Sequence, residues 1–569
     1  MERSIKTRAL IVGAGPVGLT LATDLARRGI DALIVESRPR GEPPSVKCNH
    51  VAARSMEIFR RLGVVKQVRA AGLPDEYPND IAYRTAMNGR ELTRISIPNR
   101  LERYTATGGP DTWWPTPEPP HRINQIFLEP ILFEHAAAQP RVTILNCARL
   151  DSFEQDDERV TARIRNLDTG AESTVVAEFL IGCDGARSTV RRGIGARLQG
   201  DAVIQRAQSS YIRAPKLLSL LTTQPAWGNV SLNPRRSGTV YAIDGRETWL
   251  IHNYLRDEEA DFDAVDRDWA IRAILGVDGD FDYEVISNED WFGRRLVSDA
   301  FRRGRAFICG DAAHLWVPYA GYGMNAGIAD AANLAWLLAA NLNGWGTDAI
   351  LDAHERERLP ITEQVSRFAM NHAHAMAKQR RAVPPEIEDE TPEGEAARSA
   401  VAEAAYTLNV QQYACAGLNF GYYYDRSPII AYDGAPHPTY SMGAFAPSTV
   451  PGCRTHHVWL RDGRSLYDAM GPDYTLLRFD RNTDVARFVD AAGRRGVPLA
   501  VLDVESDGGS DVYREKLVLS RPDQHVAWRG NEAPADPVAL VDRIRGAAHR
   551  ADESPTGGMG CHGSLAKRR

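Results

Sequence analysis

The run Gly13-Ala14-Gly15-Pro16-Val17-Gly18 constrains this chain more than any other six residues in it. Residues 8–12 before it are apolar and strand-like. Residues 19–26 after it carry a helical pattern, and a second apolar strand, Ala32-Leu33-Ile34-Val35, ends at Glu36. Strand, glycine turn, helix and strand make a βαβ unit. In such a unit Gly13 permits the tight turn, Gly15 lets a pyrophosphate approach the backbone beside Pro16, and Gly18 lets helix and strand pack closely. The helix N-terminus offers unpaired N–H groups and a partial positive charge to the phosphates. Glu36 stands where ribose hydroxyls need an acceptor. The pattern predicts dinucleotide binding, and by itself does not separate NAD from FAD.

The remaining bulk properties mainly exclude. A chain of 569 residues allows two or three domains. A net charge of −6 gives no basis for binding nucleic acid or an anionic membrane. No apolar run reaches membrane-spanning length, and residues 1–6 lead into a strand without a signal-peptide pattern. Seven scattered cysteines with no C-x-x-C argue against a disulfide framework or a metal site and fit a reducing cytoplasm.

Along the chain, residues 142–181 read as alternating strands. Residues 203–254 read as short strands rich in Ser, Tyr, Trp and Thr, which suggests an inserted sheet. A short buried strand at 307–309 precedes a long helix over 325–340. Residues 378–398, rich in charge and proline, read as an exposed loop or linker. After Pro451 the pattern is a compact α/β unit with strands at 474–479 and 499–504 and a turn, Leu519-Ser520-Arg521-Pro522-Asp523, before Val526. The Gly-rich basic tail reads as disordered.

Two further motifs lie at strand ends. Cys183-Asp184-Gly185-Ala186-Arg187-Ser188 follows Phe179-Leu180-Ile181, and Gly310-Asp311-Ala312-Ala313-His314 precedes Pro318, Gly321, Gly323, Met324 and Asn325. An acid beside a glycine turn can bind a ribityl or ribose hydroxyl. A glycine-rich turn opening a helix can aim N–H groups at an electron-rich ring edge. Singly, each also describes a plain strand–turn–helix joint. Together, in this order and spacing, the three motifs resemble the class A flavoprotein aromatic hydroxylases, of the phenol hydroxylase, 2,4-dichlorophenol 6-monooxygenase and aromatic polyketide hydroxylase type. The resemblance includes Arg122-Ile123-Asn124-Gln125-Ile126-Phe127-Leu128-Glu129 and Arg54-Ser55-Met56-Glu57-Ile58-Phe59, and covers most of residues 6–365.

The resemblance implies an α/β fold: a Rossmann-like FAD-binding domain with an inserted β-sheet substrate domain and a C-terminal thioredoxin-like domain. The expected boundaries are 1–400 for the FAD-binding domain, with the substrate sheet at about 78–120 and 200–300. A connecting segment at 401–450, the thioredoxin-like unit at 451–550 and a disordered tail at 551–569 complete the chain. The implied activity is hydroxylation of a phenolic or other aromatic substrate with NAD(P)H and O2, through a hydroperoxyflavin. Gly13, Gly15, Pro16, Gly18 and Glu36 would hold the adenosine half of FAD, and Arg122 and Gln125 its chain. Asp184 and Gly185 form a motif associated with both FAD and NAD(P)H. Asp311 would bind the ribityl chain, and Gly321, Gly323, Met324 and Asn325 would approach the ring. Lys47 stands where many members have arginine and joins the cofactor set. Pro318 would border the reacting substrate, but Val317-Pro318-Tyr319-Ala320-Gly321 departs from the family's paired prolines and glycines.

His50, between Lys47 and Arg54, is the candidate base for a phenol proton, and equally fits a histidine satisfied by backbone groups. Tyr211 and Trp249 are candidate substrate contacts, although strand alternation lets only one face of each strand meet the substrate. His314 reads as structural. A same-scaffold oxygenase that performs Baeyer–Villiger, epoxidation or halogenation chemistry is the competing reading; the halogenase pattern W-x-W-x-I-P is not matched at Trp291-Phe292-Gly293. A simple dehydrogenase would not need both acid–glycine motifs. The C-terminal unit, lacking C-x-x-C, reads as a structural or dimer-contact element, which leaves room for a homodimer.

Overall fold

The structure, a computed structural model, describes residues 3–112, 114–505 and 511–548. The first of its two large sheets is built outward from the nucleotide-type unit. Arg3–Val12 runs parallel to both Ala32–Val35 and Glu172–Gly182, with Ala306–Ile308 and Val142–Leu145 parallel on the flanks. Ala32–Val35 and Ala306–Ile308 are buried along their whole length, which is why they read as unbroken apolar runs rather than alternating ones. Two helices, Pro16–Arg27 and Tyr322–Leu342, pack together against this sheet. Their contact is close because Gly327 carries no side chain: a Cβ there would lie 2.7 Å from Val17 Cγ2 and 2.9 Å from Gly310 Cα.

The second sheet has eight strands, in the order His314–Trp316, Glu284–Ser298, Leu198–Arg213, Thr248–Tyr254, Gly238–Ala242, Gly228–Ser231, Ile81–Arg84 and Glu91–Ile95. It draws its strands from the two expected stretches of chain and one more. The edge strand His314–Trp316 belongs to the third motif and pairs antiparallel with Glu284–Ser298, so the turn that leads to Gly321 is fastened to this sheet.

The segment expected to be a loop is mostly helix. Asp352–Arg381 continues through residue 381, and Pro392–Tyr413 is a 22-residue helix. Its start is written locally: the Thr391 side chain accepts from Gly394 N, and Pro392 occupies the first turn, where its missing N–H costs nothing. Between the helices, Ile387 is fully buried and Arg398 bonds the carbonyls of Ile387 and Asp389. Charge and proline density masked a capped helix–turn–helix, and the connecting segment begins inside the second helix.

Residues after 451 form a β-α-β-β-β-α unit. Tyr474–Arg478 is parallel to Leu499–Asp503 and antiparallel to Leu517–Ser520, which pairs with Val526–Gly530; helices Ala486–Arg494 and Pro537–Ile544 complete it. Its core is continuous with that of the first sheet: Tyr474 packs edge-on to Trp336 at 5.9 Å, within one cluster that also holds Leu476, Phe488 and Leu338. The tail expected to be disordered lies outside the described residues.

Candidate active site and cofactor cleft

The glycine turn leaves one helix end open. Gly13 has φ +103°, and a Cβ there would sit 2.3 Å from Cys183 O; a Cβ at Gly18 would sit 2.1 Å from Gly13 O. Packing therefore fixes both as glycine. Gly15 differs: it caps the Pro16–Arg27 helix with no side-chain bond, and a Cβ there would meet nothing within 4 Å. That is the open face a pyrophosphate needs. Glu36 accepts from Ala14 N at 2.8 Å and from Arg38 N at 2.9 Å. Burial pushes its carboxyl up, but the bonds from Arg38 and Ala14 outweigh it and hold the group below its usual range, as a carboxylate. Arg38 then pairs with Glu129 at 2.7 Å, and Glu129 accepts from Gln125 Nε2 at 2.9 Å. One polar chain thus joins the glycine turn to Gln125.

A second long helix is also open at its start. Gly321, at φ +58°, caps Tyr322–Leu342 without a side-chain bond. Gly323 has only Trp316 Nε1, at 3.9 Å, near its missing Cβ. Asp311 is exposed to solvent yet surrounded by protein, as a carboxylate on the floor of a cleft would be. The surrounding protein raises its pKa, while His314 and Lys47 pull it down. Two uncapped helix N-termini, an accessible carboxylate and the chain to Gln125 fit an extended flavin dinucleotide.

Several expected residues have other partners. Asp184 Oδ2 accepts from Thr189 N and Val190 N at 2.6 and 3.2 Å and so holds the start of the Thr189–Gly193 helix, while Oδ1 is buried without a hydrogen bond. Gly185 supplies the positive φ, +73°, of that turn. Asn325 does not present its amide to a ring edge. Its Oδ1 accepts from Ala52 N and its Nδ2 donates to the carbonyls of His50 and Gly321, which clamps the 50–52 segment to the helix start. Met324 is buried in the apolar cluster under that helix. Lys47 is more than half exposed and pairs with Glu289 at 2.6 Å, a tie to the second sheet, while its charge also acts on Asp311.

Arg122 is the larger correction. It does not follow Gln125 toward the glycine turn. Its guanidinium lies over the Trp227 ring at 4.5 Å and near Tyr413 at 5.9 Å, with Nη1 donating to His50 Nδ1. An arginine can only donate, so the lone pair of Nδ1 is taken and the proton of the neutral ring sits on Nε2. Burial, then the charges of Arg122, Arg103 and His121, hold the His50 pKa well below the histidine range. The base reading of His50 is therefore replaced by a donor: it can give a hydrogen bond from Nε2 and has no free lone pair to take a proton. The ring itself packs on Gly321, whose Cβ would lie 3.1 Å from that of His50.

The substrate face of the second sheet follows from its register. Leu250 pairs with Tyr211 and Tyr241, and His252 with Ser209 and Thr239. Trp249 pairs with Ile212 and Ala242 on the opposite face; it is fully buried, in a cluster with Ile271 and Ile274 of the Arg267–Leu275 helix, and cannot meet a substrate. Tyr211 shares the face of Tyr241 and is half-buried. The side chains that converge are ones the sequence did not single out as ligand contacts. Trp227 and Tyr241 are 5.0 Å apart and Tyr241 and His252 5.9 Å, while Tyr254, Tyr319 and Tyr413 lie near enough to act on each other electrostatically. Burial and this mutual repulsion push Tyr241, Tyr254 and Tyr413 well above the usual phenol range, so none of the three is a base. Pro318 is exposed and opens the turn; its neighbour Tyr319 is the one that reaches this group.

His314 is structural: it bonds Asp330 at 2.7 Å, and Asp330 also takes Arg358 at 2.8 Å. The Arg521-Pro522-Asp523 turn lies at the junction with the C-terminal unit, where Arg521 is completely buried and bonded to both oxygens of Glu357, at 2.5 and 2.8 Å, and to Asp523.

Comparison with known proteins gives the family. Residues 6–369 match the FAD binding domain family and residues 448–549 the aromatic-ring hydroxylase C-terminal family. Phenol 2-monooxygenase of Pseudomonas sp. (strain EST1001) is 29% identical, over 95% of this chain and 93% of that protein. Tetracenomycin B2 monooxygenase-dioxygenase of Streptomyces olivaceus is 30% identical, over 96% and 98%. Among solved structures, the rebeccamycin biosynthetic enzyme RebC with reduced flavin superposes with a TM-score of 0.87 at 36% identity, covering 96% of this chain and all of that one. Aklavinone-11 hydroxylase in complex with FAD and aklavinone gives 0.77 at 27%, over 95% and 98%. This chain belongs to the FAD-binding aromatic-ring hydroxylase family of monooxygenases.

Proposed function

We propose that this protein is an FAD-dependent monooxygenase that uses NAD(P)H and O2 to hydroxylate a phenolic or other aromatic compound held against the Trp227–Tyr241–Tyr413 group. One observation carries this reading. Asn325 clamps the 50–52 segment to the open start of the Tyr322–Leu342 helix, and His50 of that segment accepts from Arg122 of the buried aromatic and cationic group, so one short segment joins the cofactor-type helix end to the aromatic group. Gly15, Glu36, Gln125, Asp311, Gly321 and Gly323 would hold FAD, which when bound supplies the reduction by NAD(P)H and the transfer of oxygen. The chain's own part is to seat the ring, to donate from His50 Nε2 to a substrate oxygen, and to exclude water with the tyrosine cluster. Use of a free nicotinamide cofactor is supported by the single glycine fingerprint of the sequence. The cytoplasmic reading rests on the six described cysteines, all unpaired. The β-α-β-β-β-α order supports a thioredoxin-like C-terminal unit, and its burial against Trp336 supports a structural role.

The test is direct. The purified protein should be yellow with close to one FAD per chain, and an aromatic substrate should stimulate NAD(P)H oxidation and yield a product heavier by one oxygen. FMN in place of FAD, or oxidation that gives only hydrogen peroxide with every aromatic tried, would sink the reading. Asp311→Ala should weaken FAD binding by about 10- to 100-fold with an unchanged circular dichroism spectrum.

A further inference from the structure

Arg122, beside the aromatic group, is a guanidinium buried without a counter-ion of its own among the described residues. It is 4% exposed, and its Nη2 has no hydrogen-bond partner among the described residues. The carboxylate that acts on it electrostatically, Asp111, is already taken: Arg103 pairs with it at 3.0 Å and Trp114 Nε1 donates to it at 2.6 Å. The His50 ring that accepts from Nη1 is neutral and cannot balance the charge. An arginine left this way costs stability, because burying a charge without a partner is unfavourable. The stacking on Trp227 offsets only part of that. One face of the guanidinium is covered by Trp227 and Nη1 is used, so a further partner has to meet the edge that carries Nη2. That edge can give a charge-assisted hydrogen bond to a carboxylate, which is also the counter-ion the guanidinium lacks.

We propose that the aromatic substrate carries a carboxylate, and that Arg122 binds it through Nη2 and makes the enzyme selective for acidic over neutral aromatic rings. This rests on the reading of the protein as an aromatic hydroxylase and narrows it to a substrate class.

The test uses the flavin-loaded full-length enzyme and a matched pair of probes, 1-hydroxy-2-naphthoate and 1-hydroxy-2-naphthamide, titrated by the change they cause in the flavin absorption spectrum. In the wild type the acid should bind at least about 10-fold more tightly than the amide, as expected for loss of a charge-assisted contact. In Arg122→Gln the two should bind within about 2-fold of each other while FAD stays bound, and Arg122→Lys should keep part of the preference. Equal binding of acid and amide by the wild type overturns the proposal, as does the absence of binding by either. Loss of FAD from Arg122→Gln overturns it in favour of a cofactor contact. If Arg122→Gln does not fold, the wild-type ratio and Arg122→Lys still decide. Failure of the hydroxylase reading shows elsewhere, as missing flavin or missing hydroxylated product.

Discussion

Arg521 and Arg122 are both buried, both lie against a tryptophan ring, and are held in opposite ways. Arg521 lies 5.0 Å from the Trp336 ring and binds two carboxylates, with Glu357 in turn accepting from Ser427 Oγ and Asn333 Nδ2. Arg122 lies 4.5 Å from the Trp227 ring, binds one neutral histidine and has no partner for Nη2 among the described residues. The difference separates a charge used to fasten two parts of a chain from a charge kept in reserve for a ligand. A structural arginine is buried together with its counter-ions, so losing one of them is costly. A ligand-binding arginine is buried without them, and the fold bears the cost continuously.

The contrast can be broken most forcefully at the junction. Glu357→Ala leaves Arg521 with Asp523 alone, strips Ser427 of its acceptor and leaves Asn333 Nδ2 only its longer bond to Asp523, at 3.4 Å. Breaking such a buried pair should cost about 3–5 kcal/mol in denaturant unfolding. A loss no larger than that of a surface substitution would show that the junction is not what fastens the C-terminal unit.

The next largest effect is on pH, in the Arg122 region. His121, next in sequence, has its pKa pushed down to about 3, first by burial and then by the Arg69 charge. Because its folded value lies below the unfolded one, the unfolded chain takes a proton that the folded chain refuses. Its contribution is therefore intact above roughly pH 6.5 and is lost as pH falls toward 3. Between pH 7.5 and pH 5 this histidine alone should lower stability by about 2 kcal/mol, so His121→Gln should gain that much on the wild type over the same interval. A stability difference that does not change with pH would show that burial does not hold His121 uncharged in the folded chain.

The smallest effect sharpens the comparison instead of breaking it. Arg122→Gln should change unfolding free energy by no more than about 1 kcal/mol, and in either direction, because a buried charge without a counter-ion is removed rather than a bonded one. A loss as large as that at Glu357 would place Arg122 among the structural arginines.

What the sequence revealed is what lies close together along the chain. Gly13, Gly15, Gly18 and Glu36 sit within one βαβ unit, so their spacing encodes their geometry. The strand at 32–35 is found where the apolar run places it. The aromatic group is different. Trp227, Tyr241, Tyr413 and Arg122 come from four separate segments, and only the register of the second sheet and the Pro392–Tyr413 helix bring them together. Trp249 and Tyr241 have equal claims by residue type; what separates them is which face of the strand each occupies. Arg122 was read from the motif it shares with Gln125, and three residues along a segment just before a helix were enough to send the two side chains in different directions. The helix start at Thr391-Pro392 rests on two adjacent residues, whereas charge and proline density over 378–398 point to a loop.

The shared core of Trp336 and Tyr474 sets a limit on how this enzyme can be recombined with its relatives. The change of pattern near residue 451 is a boundary in the chain, but the apolar cluster runs across it, and Arg521 reaches over it to Glu357. A chimaera joined there would inherit half of a core and half of an ion pair from each parent. A usable exchange has to carry the Tyr322–Leu342 helix and Glu357 along with the C-terminal unit, so the smallest interchangeable part of this protein is larger than its last domain.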